Sequence, residues 1–391
     1  MKLVVIGSGQ CGSRVADEFA RLNKRAKARR GIEIVTGVFA VNTDAADLSG
    51  LSTIRADYQH RILIGGRKTS GHGVGKINEL GAEVAKEDGD KVIDSIRTSR
   101  HFFETDAFLI AASAAGGTGS GSLPVIAQMV KDRYMDKPVY ALVVLPFEHE
   151  EQTEERTTYN AATCLKSINT VADAVFLVDN QRYVRKDASL RNNLAEINAH
   201  IVAPFYNLLC AGEEKKARHI GAKVLDAGDI LQTLVGWTTI GFGKTPLSMF
   251  KLPFERVSDF RKKSTETHKG IMAMDEAISE LSIRCKPADA GRALYLISAP
   301  AKEMNMNLAK ELGDYLKDIA SDAIIRNGDY PRERGALEVT VILSELSDVD
   351  KIKTYYSRAA EFIKDQKTKQ VDVESKQREF DEASKNIPTL L

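Results

Sequence analysis

Six consecutive positions, Gly116-Gly117-Thr118-Gly119-Ser120-Gly121, hold four glycines and two hydroxyls. An apolar run, Phe108-Leu109-Ile110-Ala111-Ala112, precedes them. A helical pattern follows from Ser122 to Tyr134, with Pro124 in its first turn, where a missing N–H costs nothing. A strand, a glycine loop and a helix N-terminus make an anion site. Bare backbone N–H groups point at a phosphate, and the helix dipole favours negative charge. The loop carries no lysine, so it is not a Walker A element, which needs G-x-x-x-x-G-K-[ST]. Gly243-Lys244-Thr245 imitates the end of one, but Thr238 stands where the first glycine belongs and Pro246 follows at once.

Two further glycine loops have the same chemistry available. Gly7-Ser8-Gly9-Gln10-Cys11-Gly12 ends the opening apolar run and matches G-x-G-x-x-G, the dinucleotide fingerprint. That fingerprint expects an acidic residue about 20 positions on, at the end of the second strand. Here that strand ends at Asn42-Thr43-Asp44, too far along. Phosphate binding remains the reading, with tight strand-on-helix packing as the plainer one. The run Gly65 to Gly75 includes Thr69, Ser70 and Gly71; it reads as a surface loop or as a third phosphate-side loop.

Carboxylates and a guanidinium lie nearby in the chain. Glu148, Glu150, Glu151, Glu154 and Glu155 precede Arg156. Most of such a run is a solvated face, but it directly follows a strand end. One glutamate could accept from ribose hydroxyls, and Arg156 could cover the sugar. Asp226 and Asp229 are three apart and share a face if a helix begins there. Asp226 would make a good N-cap. By spacing alone they are a cap and a surface carboxylate.

The elements that must position these groups are legible as periodicity. Apolar runs recur at Leu3–Ile6, Ile34–Val41, Phe108–Ala112, Val139–Leu145 and Ala174–Val178, with helical patterns between. Such alternation predicts an α/β, Rossmann-like parallel sheet covered by helices on both faces. Ligands in such sheets bind beyond the carboxyl ends of the strands, which is where Gly9, Asn42-Thr43-Asp44, the Gly116 loop and Asp179-Asn180 fall. From Ala188 to Leu209 one apolar stripe runs along a long central helix, which Pro204 should kink or divide. Strand-like runs at Leu294–Ile297 and Leu337–Leu343, with helical patterns at Leu308–Ile325 and Asp350–Ile363, predict a smaller α+β domain. The domains expected are 1–187, a connector over 188–221, a second unit over 222–365 and a charged tail over 366–391. The tail reads as disordered or as a loosely attached helix, with Ile387-Pro388-Thr389-Leu390-Leu391 as an optional docking peptide.

Bulk composition narrows the partners. A net charge of +1 over 391 residues gives no general attraction to nucleic acid or anionic membrane. No apolar stretch approaches the ~20 residues of a membrane span. Met1-Lys2 leads straight into a strand-like run, which leaves no room for a signal peptide. Cys11, Cys164, Cys210 and Cys285 form no C-x-x-C pair and read as reduced thiols of a cytoplasmic protein.

The combination of loops, over roughly residues 1–365 and in the same order, resembles the tubulin/FtsZ superfamily, and within it the archaeal CetZ tubulin-like proteins. Gly116–Gly121 is similar to the superfamily signature G-G-x-T-G-[ST]-G in a form one residue shorter. Gly9-Gln10-Cys11-Gly12 resembles its first nucleotide loop, Asn42-Thr43-Asp44 its second, and Gly71–Gly75 a CetZ-like third. Asn180 and Asn198 resemble the pair that reads guanine. The resemblance implies GTP/GDP binding with Mg²⁺, Asp44 and Thr43 lying near the metal or its waters, and no side chain assigned as a direct metal ligand. It implies ribose contacts at Glu150 and Arg156, although Gln152 stands where FtsZ has a glutamate.

It also gives Asp226 and Asp229 a role that their spacing does not. In this superfamily the acidic loop after the central helix completes the nucleotide site of the next subunit. Hydrolysis then requires head-to-tail stacking, a heterologous contact that builds filaments. The expected partner is therefore the protein itself, with an envelope-linked adaptor reached through the tail as a further option. Val224 stands where FtsZ has asparagine, and the CetZ-like loops favour cell-shape control over an FtsZ-like division ring. The rivals are an NAD-dependent oxidoreductase built on Gly7–Gly12 and a nucleotide-binding regulator that never assembles.

Overall fold

The computed structural model describes residues 1–99, 101–184, 190–247, 259–333, 335–385 and 387–388. The first half of the chain supplies β1 (Leu3–Ser8), β2 (Val35–Asn42), β3 (Arg61–Leu63), β4 (Ala107–Ser113), β5 (Val139–Leu145) and β6 (Ala174–Asp179). All pair in parallel, in the order β3-β2-β1-β4-β5-β6, the doubly wound arrangement. These strands are apolar on both sides because both sides are covered. Val4 and Ile6 enter one core, Leu3 and Val5 the other.

The second half supplies β7 (Gly236–Pro246), β8 (Ala290–Ala299), β9 (Ile324–Pro331) and β10 (Ala336–Leu346). They extend the same sheet as β6-β7-β10-β8-β9. β10 runs antiparallel to β7 and β8, and β8 runs parallel to β9. The expected parallel half and smaller α+β half thus share one ten-stranded sheet. The join is a short ladder: Ala174, Val175 and Phe176 pair with Gly236, Trp237 and Thr238. Beyond it the buried Ser282 bridges the two strands, donating from Oγ to Leu177 O at 2.7 Å and lying 3.0 Å from Thr239 Oγ1.

Helices α1 (Gly9–Arg30), α2 (Ala45–Ser49), α3 (Gly66–Thr69), α4 (Asn78–Arg97), α5 (Thr118–Arg133), α6 (Glu148–Thr153) and α7 (Glu155–Asn169) follow the early strands. After them come α8 (Leu190–Val202), α9 (Phe205–Ala211), α10 (Ala227–Thr233), α11 (Asp259–Ser279), α12 (Met306–Ile319) and α13 (Asp350–Ser384). One face of the sheet packs on α4, α5, α7 and α11 to α13, the other on α1, α8 and α9. Phe205 of α9 sits edge-on to Phe19 of α1 and to Phe176 of β6, with ring centroids 5.3 and 5.2 Å away.

Several expectations shift. The central helix is divided at Pro204, which opens α9 where its missing N–H is not needed. Its expected first residues, Ala188 and Ser189, lie outside the described residues. Ile324 and Ile325 belong to β9 rather than to the preceding helix, which stops at Ile319. Of the two readings of the tail the helix holds: it continues α13 through Ser384. Thr389, Leu390 and Leu391 of the suggested docking peptide lie outside the described residues. Gly243-Lys244-Thr245 lies within β7, as a strand and not a loop.

Candidate nucleotide-binding site

The carboxyl ends of β1, β2, β4, β5 and β6 open on a single cleft of about 350 Å³. Two helix N-termini meet there. α1 begins at Gly9 directly after β1, and α5 begins at Thr118, four residues earlier than the sequence suggests. Glycine's poor helix propensity hides this start: Gly119 and Gly121 lie inside the helix because neighbouring backbone fills the space of their side chains. A Cβ on Gly121 would overlap the Asn78 carbonyl of α4, and one on Gly12 the Ala111 carbonyl of β4. Gly9, at φ +70°, passes so close to α5 that a Cβ there would stand 2.8 Å from Gly119 N. The first turns of both helices leave N–H groups without intrahelical acceptors, and both dipoles favour an anion in the cleft.

Gly9, Gln10 and Cys11 line one wall, and Gly116, Gly117, Thr118 and Gly119 line the floor. Asn42 and Asp44 contribute from the end of β2, Glu150 from α6, Asn180 from the end of β6 and Asn198 from α8. The three carboxylates of the cleft already have partners. Asp44 Oδ1 caps α2, accepting from Ala46 N at 2.8 Å and Asp47 N at 3.1 Å. Asp47 takes the side-chain amides of Gln10 and Asn42 at 2.7 and 3.1 Å. Glu150 Oε2 accepts from Phe147 N at 3.0 Å. Burial pushes the Cys11 thiol up to about 12, so it is a neutral wall. Burial likewise raises Cys164 and Cys210 to about 12 and Cys285 to about 11.

Other residues singled out in the sequence support the cleft from behind. Thr43 is buried with Oγ1 2.6 Å from Thr118 Oγ1, tying the β2 loop to α5. Thr69 bonds to the Gly65 carbonyl at 3.0 Å, and Ser120 bonds to the Gly116 carbonyl. In the third loop Gly73 lines the cleft, whereas Thr69, Ser70 and Gly71 do not. Gly12 and Gly121 are packing residues, as are their contacts. Arg156 is not in the lining: its guanidinium bonds to the Lys76 carbonyl and to Glu79. Asp226 and Asp229 are also outside it. Asp226 caps α10, accepting from Asp229 N at 2.9 Å, and Asp229 lies 3.6 Å from Arg326 Nε.

Sequence reasoning missed Arg14, Asp47, Lys76, Phe147 and Ile197 among the lining residues. Two left a signal. Arg14 is one turn beyond Gln10 on a helix whose start is legible, and Ile197 adjoins Asn198. Together the lining combines the N-terminal turns of two helices with the carboxamides of Asn180 and Asn198 and the apolar Phe147 and Ile197.

Comparison with known proteins gives the family. The model of the Tubulin/FtsZ family, GTPase domain, matches residues 2–186, and that of the tubulin-like CetZ C-terminal domain matches residues 187–361. The tubulin-like protein CetZ1 of Haloferax volcanii is 33% identical over 379 residues, covering 92% of each chain. The chain belongs to the tubulin/FtsZ superfamily, in its CetZ branch. The structure of CetZ1 from Haloferax volcanii as a GDP-bound monomer is similar at a TM-score of 0.78 and 30% identity, covering 92% of this chain and 99% of that one. CetZ2 from the same organism, as a GTPγS-bound protofilament, is similar at a TM-score of 0.79 and 28% identity, covering 94% and 100%. CetZ membership replaces the dinucleotide-enzyme reading of Gly7–Gly12.

Proposed function

We propose that this chain is a GTP-binding, GTP-hydrolysing cytoskeletal protein that assembles head to tail, and that each site is completed by the acidic loop of the next subunit. One observation carries the reading furthest. The cleft gathers two helix N-termini and two carboxamides, and its carboxylates Asp44, Asp47 and Glu150 all hold loops. In this reading none of the three acts as the base for the attacking water. Asp226 and Asp229 lie outside the cleft, at the start of α10, and a second copy stacked on the cleft would deliver them. CetZ2, a similar protein, has been seen as a GTPγS-bound protofilament, which supports self-assembly.

In this scheme the N–H groups of the Gly9 and Gly116 loops hold the phosphates, and the neighbour's Asp226 and Asp229 orient and polarise the water. Catalysis here is positioning and electrostatics. Magnesium suits the residues present, because it prefers phosphate oxygens, waters and one or two carboxylates to a protein cage. Among the described residues no cluster of three or more metal-ligating side chains exists. Asp44 lines the cleft and would hold a bound ion or its waters, and the ion would offset phosphate charge. The proposed setting is the cytoplasm, in cell-shape control, with any envelope contact made through an adaptor. No helix among the described residues is long and apolar enough to cross a membrane.

Light scattering and pelleting with GTP and Mg²⁺ test assembly, and turnover per subunit should climb with protein concentration. Constant specific activity from a monomer would overturn the shared site. In cells, a fluorescent fusion dispersed along the envelope fits shape control, whereas a midcell ring fits division. Base recognition is tested separately. Each carboxamide offers a donor and an acceptor, matching the mixed edge of guanine. Asn198→Ala should weaken GTP binding about tenfold or more and bring GTP and ATP affinities close together, as read by competition against a fluorescent GDP.

A further inference from the structure

The third glycine loop ends on Lys76, whose φ of 61° lies in the left-handed region that residues with side chains rarely adopt. Two side chains of α7 grip it. The Lys76 carbonyl accepts from Asn160 Nδ2 at 2.9 Å and from Arg156 Nε at 3.1 Å. The same Asn160 amide, fully buried, donates to the Ala115 carbonyl at 3.1 Å and approaches the Gly116 carbonyl at 3.4 Å. One amide thus ties the third loop to the phosphate loop and fixes the Lys76 backbone at the cleft.

The Lys76 side chain is held much less firmly. Lys76 lines the cleft, and its ammonium pairs with Glu154 in the break between α6 and α7. The two side chains are 46% and 41% exposed. A pair that exposed is weak and exchanges readily. Glu154 itself is not in the lining. A phosphate in the cleft would offer the ammonium more charge in a less watery setting, and lysine binds phosphate well as a point charge.

We propose that Lys76 is a ligand of the terminal phosphate of a nucleoside triphosphate. Its ammonium leaves Glu154 for the outermost phosphate and returns when only a diphosphate is bound. Lys76 thereby supplies the cation that the Gly116–Gly121 loop lacks, and it separates triphosphate from diphosphate. The inference rests on the guanine-nucleotide reading above.

The test is the ratio of GTPγS to GDP affinity in the full chain, kept below its assembly concentration. Lys76→Gly removes the ammonium while suiting the left-handed backbone. It should lose about tenfold in GTPγS affinity, with GDP affinity changed less than about twofold. Lys76→Arg should restore most of the loss. Glu154→Gln, which frees the ammonium, should tighten GTPγS about two- to fivefold and leave GDP unchanged. Raising salt should erase the advantage of wild type over Lys76→Gly. Equal losses for both ligands, or an unchanged ratio, would show that Lys76 shapes the loop and does not touch the phosphate. Wild type that binds neither GTPγS nor GDP would instead overturn the guanine-nucleotide reading, and this inference with it.

Discussion

Asp226→Asn should bind GTP and assemble like wild type, while turnover in the assembled state falls about 10²–10³-fold, the scale of a lost water-orienting group. The substitution is chosen because Asp226 has a structural task as well. Its Oδ1 accepts from Asp229 N and caps α10, and asparagine caps about as well as aspartate. Local folding of α10 is therefore preserved and only the charge is lost. Asp226→Ala would remove the cap too and cost about 1 kcal/mol of stability, so a fall in rate there would be ambiguous. Asp229→Asn should give a smaller version of the same effect, because Asp229 already faces Arg326 at 3.6 Å. Phosphate release measured alongside pelleted polymer decides the matter. Full turnover from polymer of Asp226→Asn would sink the shared-site mechanism.

Gly9→Ala should abolish nucleotide binding, with affinity for GDP falling at least about 100-fold. Two costs combine. The residue sits at φ +70°, where a Cβ costs about 1–2 kcal/mol. That Cβ would also stand 2.8 Å from Gly119 N, so the N-termini of α1 and α5 must separate. The donors of the anion cradle come from those two turns, and an error of about 1 Å in their placement is expensive. Thermal melts separate misfolding from lost binding. Wild type should melt higher with saturating GDP, since a ligand that binds only the folded state stabilises it. Gly9→Ala should melt a few degrees lower when free of nucleotide and gain nothing from GDP. A normal GDP shift in Gly9→Ala would mean that the close approach of the loops does not govern binding.

How far the site was legible depended on sequence distance. β5 spans Val139–Leu145 in both readings because a strand covered on both faces is an unbroken apolar run. The loops at Gly9, Asn42 and Gly116 could be placed on one edge because a parallel sheet gathers the ends of its strands. The start of α5 was hidden by glycines that serve packing against α4. The tail's charge left helix and disorder both open, since an exposed helix has no apolar stripe to announce it; the helix is the one that forms. Arg156 was read as a sugar contact because it follows the acidic run, yet its guanidinium goes to Lys76 and Glu79. Such pairings, about 80 residues apart in the chain, follow from how α7 packs and from nothing in either segment alone. The proposal that Asn180 and Asn198 read the base came from family resemblance, since an isolated asparagine has no signature of its own.

A filament in use is also a rope. Any pull between the two halves of this chain must cross from the strands that border the cleft to β7 and the strands beyond it. The sheet offers only three rungs for this between β6 and β7, loaded in shear because the two strands run side by side. Ser282 works there as a rivet: its oxygen and backbone bond to Leu177 and Asp179 on one side, and to Thr239 and Ile240 on the other. Mechanical continuity between the two halves thus leans on a serine that lies outside the cleft.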